Sequence, residues 1–228
     1  MSVVLMREQQ YRDALADGCA FQKRYMSLPF EVPDPVFKKT VATLESDDGI
    51  RFSSAEGLAN LKPVQAGGTV TFGGQTHPAD GNAAIIVAAP ERVAALSANR
   101  DIRVRLHGFG SARAAIAHMP EAPIPAAKQA LDAAGTSIER MDAVKTHNPF
   151  AVNDVLFSRQ TGFPLEKMNN FGCSLVWGHP QAPMGTRGVI ELIEELAQRG
   201  GGYGLFTGCA AGDTAMAVVV EVADRRKS

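Results

Sequence analysis

Hydrophobic and polar positions follow a regular pattern through the second half of this chain. Apolar residues recur at helical spacing in some windows and form short continuous or alternating runs, typical of strands, in others. The pattern predicts helices over 90–98, 123–134, 151–161 and 186–199, and strands over 101–108, 141–145, 203–207 and 214–222. Strands that alternate with helices and are closed by a pair of strands indicate a layered α/β domain.

The N-terminal region is less regular. A helix is predicted over 7–16, where it stops at Asp17-Gly18, and prolines break any long element within 21–49. We interpret 21–49 as an excursion over a surface, where it covers a substrate. The apolar run 83–89 fits either a helix or a buried strand, because periodicity does not separate the two at this length.

The helix predicted over 186–199 has the clearest apolar stripe, and we expect that stripe to face the core. Its members are Val189, Ile190, Ile193, Leu196 and Ala197. The charged residues expected to lie mostly off the stripe are Glu191, Glu194, Glu195 and Arg199.

Composition excludes several classes of protein. The formal net charge of the 228 residues is −1 with no basic run, so the charge gives no support to a nucleic-acid partner. No apolar stretch approaches the length needed to cross a bilayer, and the first residues do not form a signal peptide. Cys19, Cys173 and Cys209 have neither zinc-ligand spacing nor an even count for disulfides. We therefore expect a cytoplasmic protein with reduced thiols, no metal site and no membrane partner.

Two loops of small residues near the end of the chain each carry one reactive side chain. Residues 170–180 contain His179 within a Gly-His-Pro sequence, and residues 204–213 contain Cys209. Small residues allow the backbone and a ligand to approach closely. The pair is typical of two catalytic groups on adjacent loops.

Three short motifs follow one another through the C-terminal half of the chain. They are His-Asn-Pro-Phe-Ala at 147–151, Gly-His-Pro at 178–180 and Gly-Cys at 208–209. Further motifs lie upstream, in Ala-Glu-Gly-Leu at 55–58, Gly-Thr-Val-Thr at 68–71 and Asp-Gly-Asn-Ala-Ala at 80–84. From about Arg7 onward the chain thus resembles a thiolase, an enzyme that joins or cleaves acyl-CoA molecules at a carbon–carbon bond through an acylated cysteine.

The resemblance implies a thiolase-like layered α-β-α fold, of which this chain is the C-terminal half together with a loop region that covers CoA. Residues 1–80 are then the covering region with its entry helix, and residues 81–228 the C-terminal α/β domain. The nucleophilic cysteine of the family belongs to the N-terminal half. Cys19 lies in a segment that resembles the start of the loop region and not a nucleophile loop. The resemblance therefore implies a thiolase chain without its nucleophile.

Three residues match the catalytic groups of that family. By resemblance, His179 activates the nucleophilic cysteine and helps bind the thioester oxygen, since an imidazole stabilises a neighbouring thiolate. Cys209 matches the cysteine that moves a proton at the carbon α to the thioester carbonyl, and the pKa of a free thiol, about 8.5, suits transfer in both directions. His147 replaces an asparagine and can orient a water or donate toward an oxyanion. The alternatives are structural: a satisfied loop histidine, a buried thiol and a helix-entry residue.

Three further positions match substrate contacts. Ala211 replaces a glycine whose backbone N–H helps bind an oxyanion, and alanine keeps that donor unless the site requires a positive φ. Thr76 falls where the family has a CoA-contacting serine, although a plain turn fits equally well. Gly178 is assigned to the substrate site through its Gly-His-Pro motif. Cys173 replaces a family glycine, and we expect it to pack in the core.

The resemblance implies CoA thioesters as substrates and no permanently bound cofactor. It also implies a partner, namely a second polypeptide that holds the N-terminal half and the nucleophilic cysteine, in a heterotetramer. Two alternatives stay open: a non-catalytic acyl-CoA-binding or scaffold subunit, and a free-standing thioester hydrolase that uses Cys209 or Cys173 as its own nucleophile.

Overall fold

The computed structural model describes residues 2–226 and contains a four-stranded mixed sheet, preceded by a separate two-stranded sheet. In chain order the helices and strands are α1 (Ser2–Cys19), β1 (Phe30–Pro33), β2 (Thr40–Leu44), α2 (Ala55–Ala59), α3 (Pro90–Leu96), β3 (Ile102–Arg113), α4 (Pro123–Ala133), β4 (Ala143–His147), α5 (Ala151–Thr161), α6 (Ser174–Trp177), α7 (Met184–Arg199), β5 (Gly201–Ala210) and β6 (Thr214–Asp224). Within residues 2–226, none of the helices combines the length and the hydropathy that crossing a membrane requires.

The strand order of the main sheet is β3-β6-β5-β4. β6 is antiparallel to both of its neighbours, whereas β4 runs parallel to β5, with His147 paired to Gly208. Parallel neighbours end at the same edge of a sheet. The pairing therefore places His147 beside Gly208 and Cys209, although the two motifs are far apart in the sequence.

Helices cover both faces of this sheet. α4 packs on β3 and β6 above Gly108, where a Cβ atom would lie only 2.5 Å from the carbonyl oxygen of Ala130. α7 packs on β4 and β5 from the other side and buries Leu192 and Leu196 completely. The arrangement confirms the predicted layered α/β fold.

The elements predicted over the regular part of the chain are confirmed to within a few residues, apart from longer strands. α5 has the predicted bounds, and α7 begins two residues before the predicted start. Both helices end at a left-handed glycine, Gly162 and Gly200, the conformation that glycine adopts without steric cost. β3, β5 and β6 run longer than predicted because their neighbours in the sheet continue the hydrogen bonding.

The irregular regions agree with one expectation and contradict another. The elements within residues 21–49 are short, and the antiparallel hairpin β1–β2 tolerates Pro33 because it is the last residue of an edge strand. The run 83–89 is neither a helix nor a strand, and Ile86 and Val87 are 78% and 73% exposed. An apolar run becomes a buried element only where a surface covers it, and the described residues do not cover this one.

The charged side of α7 is partly buried, contrary to the expectation from the stripe. Glu191 and Glu195 are both buried. Glu191 pairs with Lys145 at 3.2 Å and with Arg187 at 3.0 Å, and Glu195 pairs with Arg199 at 2.8 Å. Buried carboxylates are tolerated where cations and hydrogen-bond donors surround them, and the periodic pattern of one helix does not reveal partners on other elements.

A buried ion pair joins α1 to the α/β domain. Arg7 Nε donates to Asp154 Oδ2 at 2.8 Å, and both side chains are fully buried. Arg7 also donates to the backbone carbonyls of Leu165 and Met168. Helical geometry in α1 breaks at residues 16–18, at the stop that the sequence predicts.

Part of the main sheet is left uncovered. The strand register places Leu106 and Phe109 of β3 on the face that α7 covers elsewhere, together with Met216 of β6. These side chains are 56%, 73% and 61% exposed, respectively. We name Leu106, Phe109 and Met216 the bare sheet face.

Candidate active site

Two histidines meet at the edge of the main sheet. His147 is the last residue of β4, and His179 follows α6 after the single residue Gly178. The ring centroids of the two histidines are 4.6 Å apart, with the rings edge to face at 65°. Two imidazoles this close face the same small volume.

His147 is held as a neutral base. Burial of the ring, and secondly the neighbouring His179, lower the pKa of His147 to about 3. Its Nδ1 lies 3.1 Å from Ser174 Oγ, and that hydroxyl belongs to the first residue of α6. His147 is therefore uncharged at neutral pH and oriented by one fixed contact.

His179 is half-buried and held mainly by backbone groups. Its N–H donates to the carbonyl of His77 at 2.7 Å, and its Nδ1 accepts from the N–H of Gln181 at 3.1 Å. Burial lowers the pKa of His179 below the ordinary histidine value. Since Nδ1 is an acceptor, the neutral ring carries its hydrogen on Nε2 and presents a donor there.

Gly178 allows this loop to pass close to the segment that carries His77. Its backbone has φ 96° and ψ −177°, a conformation found almost only in glycine. A Cβ atom would lie 2.7 Å from Ala79 Cβ and 3.0 Å from His77 Nε2. Gly178 thus has a structural role in positioning His179, while its direct contact with a substrate stays a prediction.

Cys209 lies on β5 beside the two histidines. Its side chain is buried, and Asn153 Nδ2 donates to its Sγ at 3.6 Å. Burial raises the pKa of Cys209, and the bonds to the backbone and to Asn153 oppose that rise. The resting group is a protonated thiol that holds a hydrogen ready for transfer.

A cavity of about 310 Å³ connects these groups. Its walls are formed by Gln75, Thr76, Met119, His147, Pro149, Phe150, His179, Cys209, Ala210 and Ala211. Five of the residues assigned from the sequence thus line one space, whereas Gly178 stands behind it. Among residues 2–226, no three His, Cys, Asp or Glu side chains gather in a way that could hold a metal ion.

The hydrogen bonds of Thr76 and the backbone conformation of Ala211 are both well defined in this cavity. The Thr76 hydroxyl donates to the carbonyl of Ser174, and the Thr76 N–H donates to the carbonyl of Pro149 at 2.8 Å. Ala211 does not adopt a positive φ, so alanine at this position causes no backbone strain. Both residues lie where the sequence assigns substrate contacts, and those contacts stay predictions.

Sequence reasoning missed two polar side chains at this site. Ser174 contacts His147, and Asn153 contacts Cys209, both from buried positions. Neither residue belongs to a motif that marks it as functional. A small polar residue within a helix is too common to single out Ser174 or Asn153 from the sequence.

Cys173 stands apart from this chemistry. The thiol is buried, its Sγ accepts from Asn148 Nδ2 at 3.1 Å, and it is not among the residues that line the cavity. Burial, with the nearby carboxylate of Asp154, raises the pKa of Cys173 to about 11. A thiol with that pKa is almost never a thiolate at neutral pH, so the structure fits the packing role expected for it.

Fold and site together define a layered α/β protein whose cavity holds two neutral imidazoles and a thiol, the groups needed for proton transfer. The family model described as "Thiolase, C-terminal domain" matches residues 100–222, more than half of the chain. The chain belongs to the thiolase family.

Curated relatives and solved structures agree with this assignment. A probable acetyl-CoA acetyltransferase of Mycobacterium leprae is 34% identical over 176 residues, which cover 76% of this chain and 44% of that protein. A 3-ketoacyl-CoA thiolase of Pseudoalteromonas atlantica is 35% identical over 200 residues, covering 79% and 46%. The Bacillus anthracis acetyl-CoA acetyltransferase structure matches with a TM-score of 0.86 at 26% identity, over 97% of this chain and 55% of that one.

A structure of human mitochondrial 3-ketoacyl-CoA thiolase in complex with CoA also matches. Its TM-score is 0.82 at 29% identity, over 96% of this chain and 53% of that one. The chain thus spans about half the length of the relatives that it matches.

Proposed function

We propose that this chain is one subunit of a heteromeric thiolase that cleaves or condenses acyl-CoA thioesters. In this proposal a second polypeptide supplies the nucleophilic cysteine, while the present chain supplies His179, Cys209 and His147. The observation that carries the proposal is the single cavity on which these three side chains meet. Two of each subunit, by analogy with the oligomers of the family, would give a heterotetramer.

His179 and Cys209 each have a state that suits the proposed role. His179 is a neutral ring whose Nδ1 accepts from Gln181, so its Nε2–H is free to donate to a thioester oxygen or a thiolate. Cys209 is a protonated thiol that can give a proton to a carbanion α to a thioester carbonyl, which leaves a thiolate that takes the proton back in the reverse direction. A positioned acid or base of this kind contributes about 10²–10⁴ in rate.

The bare sheet face supports a docking partner. Leu106, Phe109 and Met216 expose large apolar side chains on a face that α7 covers elsewhere, and the apolar run 83–89 is exposed as well. Apolar patches of this kind mark protein interfaces. Obligate interfaces bury about 2,000–5,000 Å² in total. A complementary half that docks on these surfaces would cover them and bring its cysteine to the histidine pair.

A second cavity supports CoA as the carrier of the acyl group. It has a volume of about 420 Å³, shares Gln75 with the first cavity and is lined by Arg51 among other residues. The pair of cavities suits an extended ligand with a thioester at one end and phosphates further away. Arg51 provides a guanidinium for such a phosphate.

Native mass spectrometry of the tagged chain, purified gently from its own host, tests the proposal. We expect a second polypeptide with a cysteine that an acyl-CoA acylates. A folded chain that is isolated alone and does not react with acyl-CoA would contradict the heteromeric enzyme. Acylation of the isolated chain itself would point instead to a free-standing hydrolase.

Variants of the assembled complex test the catalytic role. Cys209→Ala is expected to lower turnover by about 10²–10⁴, the range for loss of a positioned acid–base group. Cys19→Ala, which removes a partly exposed thiol outside the cavity lining, is the matched control and should leave turnover unchanged. Equal turnover for both variants would favour a scaffold subunit that binds acyl-CoA without catalysis.

A further inference from the structure

Behind His147 lies a chain of buried polar residues that ends at an ion pair. Asp154 and Asn148 are 0% exposed and Ser174 is 1% exposed, and each is hydrogen-bonded to the next. The last contact joins Ser174 Oγ to His147 Nδ1. Each buried hydrogen bond has one donor and one acceptor. The donor of every bond in this series of side chains can therefore be worked out.

The direction is set at Asp154. Its Oδ2 accepts from Arg7 Nε at 2.8 Å and from Asn148 Nδ2 at 2.7 Å, and its Oδ1 accepts from Thr146 Oγ1 at 2.6 Å. A carboxylate paired with arginine has acceptors only. The amide nitrogen of Asn148 must therefore face Asp154.

The orientation of Asn148 then fixes the hydroxyl of Ser174. With its nitrogen at Asp154, Asn148 presents Oδ1 to Ser174 Oγ at 3.0 Å and to the N–H of Leu175 at 3.2 Å. The amide oxygen has no hydrogen, so the Ser174 hydroxyl must donate in this contact. If the hydroxyl turned toward His147 instead, two buried acceptors would face each other at 3.0 Å, an arrangement that is strongly disfavoured.

Ser174 Oγ has a single hydrogen, and its other contacts must therefore be donated to it. The backbone N–H of Asn148 donates to it at 3.1 Å. His147 Nδ1, also at 3.1 Å, is left to do the same. We infer that Asp154, Asn148 and Ser174 form a relay that holds His147 as the tautomer with its hydrogen on Nδ1, which leaves Nε2 as a bare acceptor.

The two histidines of the site then carry opposite tautomers. His179 accepts at Nδ1 from Gln181 and donates from Nε2, whereas His147 donates at Nδ1 to Ser174 and accepts at Nε2. The catalytic consequence rests on the proposed acyl-transfer function. There His179 donates a hydrogen bond to the thioester oxygen, and His147 accepts a hydrogen bond from a water or a thiol in the same cavity. Ser174 is a positioning residue that acts through His147.

Long-range nitrogen–proton correlation spectra of the full ¹⁵N-labelled chain test the tautomer directly. His147→Gln and His179→Gln assign the two ring systems by loss of their signals. We expect the protonated nitrogen of His147 to be Nδ1 and that of His179 to be Nε2. A His147 ring protonated on Nε2 would overturn the inference, whatever the activity of the protein.

Ser174 variants test the relay. Ser174→Ala should convert His147 into a mixture of tautomers, whereas Ser174→Thr keeps the hydroxyl and should keep the Nδ1–H form. Ser158→Ala is the matched control, since its hydroxyl donates to the carbonyl of Phe163 away from the cavity. A His147 that stays wholly Nδ1–H in Ser174→Ala would overturn the relay. If that variant does not fold, the wild-type spectrum still decides the tautomer, and the Thr variant must reproduce it.

The readout separates this inference from the proposed function. Failure of the chain to join a second polypeptide or to transfer acyl groups would contradict the heteromeric thiolase and leave the tautomer of His147 unaffected. An active complex whose His147 carries its hydrogen on Nε2 would contradict the relay and leave the heteromeric thiolase unaffected.

Discussion

Asn153 donates a hydrogen bond from its side-chain amide to the sulfur of Cys209, across 3.6 Å of the protein interior. The donor comes from the first turns of α5 and the sulfur from β5, so two elements must pack correctly for the contact to form. A donor at sulfur favours the thiolate over the thiol. The contact therefore adjusts how readily Cys209 gives up its proton.

Replacing Asn153 by leucine, which has a similar size and no donor, should raise the pKa of Cys209 further above its ordinary value. The measurement is the pH dependence of Cys209 alkylation by iodoacetamide, followed by mass spectrometry of the digested chain. Alkylation at a given alkaline pH should become slower, because less thiolate is present. Cys19 in the same digest is the internal control, and a Cys209 profile equal to that of the wild type would show that Asn153 has no such effect.

His147 should make the stability of the fold depend on pH. Its pKa is about 3 in the folded chain, against an ordinary value of 6.5, so the unfolded chain binds the proton more tightly. Stability from this group is complete above pH 6.5 and is lost as the pH falls toward 3. By pH 5 the loss is about 2 kcal/mol, since one pKa unit corresponds to about 1.4 kcal/mol.

Urea unfolding at pH 7 and pH 5 measures this dependence. His147→Asn, which has no titrating group, should lose about 2 kcal/mol less stability between the two pH values than the wild type does. His118→Asn is the control, because His118 is an exposed histidine. Identical pH dependence in the wild type and His147→Asn would show that His147 is not held neutral in the fold.

Gly178→Ala should destabilise the protein by more than backbone strain alone. Its conformation is disfavoured for alanine at a cost of about 1–3 kcal/mol. The added methyl would also overlap Ala79 and His77, at 2.7 and 3.0 Å. Overlap of this kind typically costs a further ~1–3 kcal/mol.

Gly162→Ala is a milder reference, because it adds a methyl group to a left-handed glycine without any overlap. Gly162 also has a positive φ, of 75°, but a Cβ atom there would meet nothing within 4 Å. Thermal or urea unfolding of the two variants should give a clearly larger loss for Gly178→Ala. Equal losses would mean that the loop around His77 moves aside without cost.

Phe109→Ser should reduce exposed apolar surface without unfolding the chain. The side chain is 73% exposed, so the free energy of unfolding should change by no more than about 0.5 kcal/mol. Binding of a hydrophobic dye should fall, and the variant should recover less of the second polypeptide from the host. Phe37→Ser, at an 82% exposed residue of the β1–β2 hairpin region, is the control and should retain the second polypeptide. Equal recovery from Phe109→Ser and wild type would place the docking surface elsewhere.

The regular α/β part of the fold could be predicted because its own periodicity encodes it. α7 and the strand pair β5–β6 each bury a stripe or run that is visible in the sequence. Glu191 was misplaced because its burial depends on Lys145, a residue of another element, and no pattern along one helix contains that information. The run 83–89 was misread for the opposite reason, since it has the composition of a buried element and no described surface to bury it.

The reactive side chains of the site could be predicted from the sequence, whereas the residues that hold them in place could not. His179 and Cys209 stand in short motifs with fixed neighbours, and the sheet then brings them to His147. Ser174 and Asn153 each form a hydrogen bond to a residue that is distant in the sequence, and such a contact leaves no regular spacing. Asn148 belongs to the His-Asn-Pro-Phe-Ala motif, which does not show that its side chain contacts Asp154 and Ser174.

The ion pair between Arg7 and Asp154 ties the first helix of the chain to the part that the family model matches. A version shortened to residues 100–222, the part matched by the family model, would keep both site histidines and Cys209. It would lose Arg7, and the carboxylate of Asp154 would keep only its neutral donors, Asn148, Thr146 and Asn169. The part of the chain that the family model matches is therefore shorter than the part that buried polar contacts join together.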